Sequence, residues 1–327
     1  MLRRNLMMGA AVAGSLVALG APVAFAQADN YPNRPVRIVV GSSPGGTADT
    51  IARMLSAQLT EKLGGTWVVE NRAGASGAVA SVAVAKAEPD GYTLMLAAVN
   101  SHAVLPNLVK ERQYDHIKDF APVSLISFSP NLLLVNPTFP AKDIKEFVDV
   151  VKKSEGKLNY GSGGVGGTQQ LSTEILLLSI GAKMTHVPFN GSGQLLAALV
   201  ANTVPIAFDT MTTAVPLVQG GQLRALGISS AKRSDVMPNI PAIGEFVPGF
   251  DVVAWNGIVA PAGTPPAIIN KLQVAISAIV KSPAISSRLK EQGTTAVGST
   301  PAEFVKVIAD DTKKFGAAIE AAGIPKQ

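Results

Sequence analysis

There is no cysteine anywhere in the 327 residues. Disulfides, thiol catalysis and thiolate metal sites are thereby excluded. A chain of this size can be exported without disulfides, where a very small domain could not. Histidine is scarce as well. His102, His116 and His186 stand far apart with no H-E-x-x-H spacing, so a zinc site has no support. Charge is thin, at 16% of residues, and no basic stripe is interleaved with aromatics. A nucleic-acid partner is therefore not expected. Beyond the first 26 residues no apolar run approaches membrane-spanning length.

Those first 26 residues read as an export signal. Arg3 and Arg4 open it, residues 7–19 are apolar or small, and Ala24-Phe25-Ala26 is an A-x-A cleavage site. Cleavage after Ala26 would shorten the chain from 327 residues to 301. It would also remove Arg3 and Arg4, taking the net charge from +5 to +3. Arg3-Arg4 leaves the general and the twin-arginine export routes both open. A chain of this length is expected to bury a large core, usually divided between two lobes.

The organising stretch is residues 36–63. Val36, Ile38, Val39 and Val40 predict a buried strand. Gly41-Ser42-Ser43-Pro44-Gly45-Gly46-Thr47 turns the chain. Ile51, Met54, Leu55, Leu59 and Leu63 then form one helical stripe. The pattern repeats as strand 66–70 with helix 78–87, and strand 93–98 follows. Such a β-α-β-α-β run implies parallel strands. Residues 123–135 predict two strand segments broken at Ser129-Pro130-Asn131. After an amphipathic helix over 140–154, the strand-turn-helix pattern recurs at 158–180 and again at 185–201. Strands at 206–208 and 223–230, a Pro- and Gly-rich loop at 231–249 and a returning strand at 252–260 complete the middle of the chain. Thr264 with Pro265 predicts a capped helix start, and Thr300-Pro301-Ala302-Glu303 a capping box. The inferred class is α/β, with two lobes and crossings near 126–130 and 250–257.

Three motifs sit in the turns. Gly161-x-Gly163-x-x-Gly166 has the dinucleotide spacing, but Val187-Pro188-Phe189-Asn190 lacks the acidic residue that grips a ribose. An anion cradle explains the same glycines. Gly41 to Thr47 lacks the lysine of a Walker loop. Gly41-x-Ser43-x-Gly45 matches a nucleophile elbow. However, Pro44 has no N–H to offer an oxyanion hole. Thr47 and Asp49 could cap the first helix, and Ser162 and Thr168 the second. Asp209 ends an apolar strand, either as a cap or as a cleft residue facing a ligand amine or hydroxyl. A helix start presents open N–H groups and a positive dipole end to an anion, so these turns suit an anionic ligand.

Taken together the motifs are familiar. YPNRPVRIVV with PGGTAD, VVENRAGASG, EPDGYTL, KDFAPVSL, KLNYGSGG, HVPFNGSG, AFDTM, GQLRALGISSAKRS and WNGIVAPAGTP cover nearly the whole chain after residue 26. The chain resembles the Bug family, the extracytoplasmic solute receptors of tripartite tricarboxylate transporters. The resemblance implies a two-lobe, flytrap-type periplasmic binding protein with the ligand cleft between its lobes. It implies a small carboxylate ligand, held partly through ordered waters, and a pair of membrane subunits as partner. Carried over by position, the ligand-binding residues are Ser43, Pro44, Gly45, Gly46 and Asp49; Ser162, Gly163, Gly166 and Thr168; Asn190 and Gly191; and Asp209. Ser42, Gly167 and Gln170 depart from the family pattern, which usually has an aromatic, a serine and a histidine there.

The reading is a periplasmic carboxylate receptor, a monomer without catalysis, cofactor or metal. Lobe 1 is expected to span residues 27–127 plus 255–327, and lobe 2 residues 128–254. The alternatives are a secreted serine-type hydrolase, with Ser43 or another serine as nucleophile and His and Asp drawn from distant segments, and a carboxylate sensor docking on a signalling partner.

Overall fold

The computed structural model describes residues 30–326; the expected export signal and its cleavage site lie outside the described residues. The first lobe is laid down by the parallel strands β1 (Val36–Val40), β2 (Trp67–Asn71) and β3 (Thr93–Ala98), in the order β2-β1-β3. Helices α1 (Thr47–Leu63) and α2 (Ala78–Ala85) form the crossovers. The α1 stripe does what its spacing predicts: Ile51, Leu55 and Leu59 are buried against the sheet. After β3 the chain enters one π-helical turn over Asn100–Val104 and then α3 (Leu105–Leu108), a stretch that periodicity did not reveal.

Strand β4 (Phe120–Val135) is a single strand of 16 residues, not two. Its first half pairs antiparallel with β9 (Val253–Pro261), up to Pro130 opposite Val253. Its second half pairs with β7 (Ile206–Thr210) and β8 (Arg224–Ile228), starting at Asn131 opposite Thr210. Pro130 therefore stands where the strand passes from one set of partners to the other. There a residue without an N–H costs little, so the strand continues where composition suggests a break.

The second set of elements repeats the plan. Helix α4 (Ile144–Lys153) is followed by β5 (Asn159–Ser162), α5 (Thr168–Ile180), β6 (Thr185–Pro188) and α6 (Ser192–Val200). Strand β7, α7 (Met211–Gln219) and β8 follow. Strand β5 runs parallel to both β6 and β7. The chain returns through β9 to α8 (Pro266–Val280), α9 (Pro283–Glu291), β10 (Thr295–Ala296) and α10 (Pro301–Ala321). The α8 stripe of Ile268, Leu272, Ile276 and Ile279 is buried as its spacing predicts. Thr264 does not cap α8. Its Oγ1 donates to the Pro261 carbonyl at 2.8 Å, and Pro265 takes the cap position. The Thr300–Glu303 capping box is present on α10.

One apolar cluster runs through both halves. It joins Val39 and Met95 to Leu133, Phe208 and Leu226, with Phe304, Ile308 and Phe315 of α10 among them. Trp255 of β9 packs edge-on against Phe304 at 5.3 Å and donates its indole N–H to Asp311 at 2.8 Å. Helix α10 thus clamps the returning strand. No single helix among the described residues is long and apolar enough to cross a membrane.

The clamp makes a testable demand at Gly257. A Cβ there would lie 2.3 Å from the ring of the fully buried Phe304. Gly257→Ala is expected to cost about 1–3 kcal/mol by overpacking and to lower the melting temperature by several degrees. An unchanged thermal melt would mean that α10 does not press on β9 in this way.

Candidate ligand-binding site

All the parallel strands end toward the region where β4 and β9 pass between the two halves, so their turns gather there. The β1–α1 turn holds Ser43, Pro44, Gly45 and Gly46, all exposed. Asp49 is different: it is buried and fully engaged. One carboxylate oxygen accepts the Gly45 N–H and the Arg53 guanidinium, each at 2.9 Å, and the other accepts from Asn71 at 3.0 Å. The same Asn71 amide donates to the Ser42 carbonyl at 3.0 Å. Asp49 therefore pins the turn in shape instead of capping α1. Arg53, followed by the Gly45 N–H, holds its carboxyl down at about 2. The arginine lies one helical turn from Asp49 and was readable as an i,i+4 pair; Asn71, 22 residues away, was not.

The other seven expected residues come together. The Gly191 N–H donates to the Gly163 carbonyl at 3.0 Å, and the Phe189 N–H to the Ser162 carbonyl at 2.9 Å, stitching the β5 and β6 turns side by side. Asn190 and Gly191 are exposed and Gly163 half-buried, while Ser162, Gly166, Thr168 and Asp209 are buried. Ser162 is a tether, not a helix cap: its hydroxyl meets the Gly164 carbonyl at 2.9 Å and His186 Nε2 at 2.6 Å. Thr168 is the first residue of α5, after a Gly167 cap. Gln170 holds the turn from behind, its Oε1 accepting the Gly166 N–H at 2.7 Å. Gly166 has φ +73°, and a Cβ there would meet Leu108 of α3 at 2.3 Å, so this turn closes directly on the first lobe.

Asp209 lies at the carboxyl end of β7 with no exposed surface. Its Oδ1 accepts from Ser192 Oγ and the Thr210 N–H, both at 2.7 Å, and from Thr213 Oγ1 at 3.3 Å. Burial pushes its carboxyl up from the ordinary range, against the pull of Ser192, Thr210, Gln169 and Thr213. Ser192, Thr213 and Gln169 were not among the expected residues. They belong to other elements, and only the i,i+4 spacing of Thr213 could have pointed to one of them.

The helix starts are the electrostatic feature of the site. Helices α1, α5 and α6 begin on Gly46, Gly167 and Gly191, and no side chain caps any of them. Their first-turn N–H groups have no intrahelical partner. Among the α-helices of the described residues only α4 and α10 carry a side-chain cap, from Asp143 and Thr300. Helices α2, α3, α7, α8 and α9 also start without one, so what marks α1, α5 and α6 is their position at the turns. The arrangement suits an anion and offers little to a nucleophile. The two serine–histidine contacts among the described residues join Ser101 to His102 and Ser162 to His186, both with buried serines; neither involves Ser43. No group of three His, Cys, Asp or Glu among the described residues could hold a metal. A separate groove of about 890 Å³ lies between residues 230–236 and 293–296, and none of the twelve expected residues lines it.

A family model described as the tripartite tricarboxylate transporter family receptor matches residues 51–324. A UPF0065 protein of Bordetella pertussis is 34% identical over 314 residues, covering 95% of this chain and 96% of its own. Among solved structures, R. palustris Rpa4515 with adipate superimposes with a TM-score of 0.81 at 32% identity, over 90% of this chain and 99% of that one. MatC (Rpa3494) from Rhodopseudomonas palustris with bound malate gives 0.76 at 33% identity, over 88% and 100%.

Asp49 predicts a pH effect. Its carboxyl is held below the unfolded value, so its stabilisation is present above about pH 4 and is lost as the pH falls toward about 2. Asp49→Asn is therefore expected to lower the melting temperature at pH 6, with the deficit shrinking steadily between about pH 4 and about pH 2. A deficit independent of pH would show that the carboxylate charge is not what pins the turn.

Proposed function

The chain belongs to the tripartite tricarboxylate transporter receptor family, and on that premise we propose that it is a periplasmic solute receptor for a small carboxylate. It captures the acid in the cleft between its lobes, closes over it, and delivers it to two membrane subunits. It acts as a monomer and catalyses no reaction. We place lobe 1 at residues 27–127 plus 255–327 and lobe 2 at 128–254, with the signal cleaved after Ala26. The ligand meets the exposed turns at Ser43, Pro44, Gly45 and Gly46 and at Asn190 and Gly191. Ser162, Gly163, Gly166, Thr168 and Asp49 hold those turns in shape around it.

The observation that carries this reading is the set of glycine-started, uncapped helices at the turns. Each such helix end stabilises an anion by about 0.3–1 kcal/mol, and up to about 2 when partly buried. Micromolar affinity needs about 8 kcal/mol. Two or three helix ends, with charge-assisted hydrogen bonds at about 1.5–3 kcal/mol each, reach that figure. The dicarboxylates seen in the neighbours, malate and adipate, are of the size expected.

A thermal-shift screen of residues 27–327 tests it, using di- and tricarboxylates, aromatic acids and acidic amino acids after denaturation and refolding to strip any carried-over ligand. A ligand that binds only the folded state raises the melting point, by about 2.7 kcal/mol of stability at roughly a hundred times Kd. One carboxylate class is expected to give a clear rise. Silence across the panel with correctly refolded protein would overturn the reading.

A further inference from the structure

Asp209 carries a buried oxygen, Oδ2, without a hydrogen-bond partner. Its Oδ1 takes three donors, while its Oδ2 has no hydrogen-bond partner, and the residue has no exposed surface. A buried carboxylate oxygen left without a donor is unfavourable, and more so than a neutral one. The position is telling. Thr210 is the cap residue of α7, and Met211 and Thr212 follow it against the first lobe: Thr212 Oγ1 donates to the Gln292 carbonyl at 2.8 Å, and Met211 packs on Gly293. Asp209 thus lies at the seam between the lobes, beside the α6 start that Ser192 opens.

The two buried carboxylates of the turns differ in charge balance. Asp49 is neutralised by Arg53 at 2.9 Å. Asp209 is held by two hydroxyls and one backbone N–H, with the Gln169 amide beside them and no basic side chain among these groups. An incoming carboxylate is therefore repelled from the Asp209 side and accepted at the β1–α1 turn, where the helix start is open and the local charge is balanced. We propose that Asp209 selects for a hydrogen-bond donor on the ligand. The favoured substrates are then hydroxy- or amino-substituted carboxylates, oriented with a carboxylate toward Ser43–Gly46 and the hydroxyl or ammonium toward Asp209. This rests on the carboxylate-receptor reading above and narrows it. A site built to bond a donor discriminates strongly against the analogue that lacks it, because its own buried acceptor is then left unpaired.

Matched pairs test this without any mutation: malate against succinate, and 2-hydroxyglutarate against glutarate, by isothermal titration of residues 27–327. The hydroxy acid is expected to bind at least about tenfold tighter in the pair whose length fits the cleft. Asp209→Asn, which keeps an acceptor for Ser192 and Thr213 but removes the charge, is expected to bring the ratio below about threefold, chiefly by weakening the hydroxy acid. Equal affinities within both pairs would overturn the selection and leave the receptor reading standing. So would a preference that survives Asp209→Asn unchanged. Failure of all four acids and of the wider carboxylate panel would overturn the receptor reading, and the selection with it. If the variant does not fold, the wild-type pairs decide.

Discussion

A helix that starts without a side-chain cap leaves backbone N–H groups unpaired at its positive end, where an anion is stabilised. Here α1, α5 and α6 all start that way, on Gly46, Gly167 and Gly191. Much of the remaining structure follows from that one electrostatic arrangement. Parallel strands are needed because they send every following helix start to the same edge of the sheet. Two sets of them are needed so that an anion can be approached from both sides. The buried polar side chains near the turns act on the backbone. Asp49 holds Gly45, Gln170 holds Gly166, and Ser162 holds Gly164. The helix starts that follow these turns can then present their first-turn amides at fixed positions.

The second constraint is mechanical. The halves are joined by β4 and by the start of β9, and β4 changes partners between Pro130 and Asn131. We place the hinge of a lobe closure at this change of partners. Helix α10 braces the returning strand. Its Phe304 and Asp311 hold Trp255 from the lobe-1 side, while its apolar face belongs to the cluster that includes Phe208 and Leu226.

Much of the fold was legible in the sequence because its signals are local. The β-branched run at Val36–Val40, the stripe at Ile51, Leu55 and Leu59, and the Thr300–Glu303 box each depend on residues within a few positions of one another. Pro130 misled for the same reason: the rule about proline in strands is local, whereas the partner change that makes it harmless is set by strands far along the chain, β7 and β9. Thr264 looked like a cap because Pro265 follows it, but a nearer carbonyl at Pro261 took its hydroxyl. The π-helical turn at Asn100–Val104 has no composition cue at all. At the site, the turns were visible and their division of labour was not. Ser162, Asp49 and Asp209 look alike in sequence as polar residues near turns. Only their partners, His186, Asn71 and Ser192, show that the first two shape the turns and the third keeps one oxygen unpaired.

The most direct measurement is a set of amide ¹H–¹⁵N spectra of deuterated residues 27–327 during titration with the tightest-binding carboxylate. If the helix starts hold the anion, the largest shifts fall on the open first-turn N–H groups of residues 46–49 and 192–194, at the turns of both lobes. Shifts confined to the groove lined by residues 230–236 and 293–296, with those amides unmoved, would contradict it.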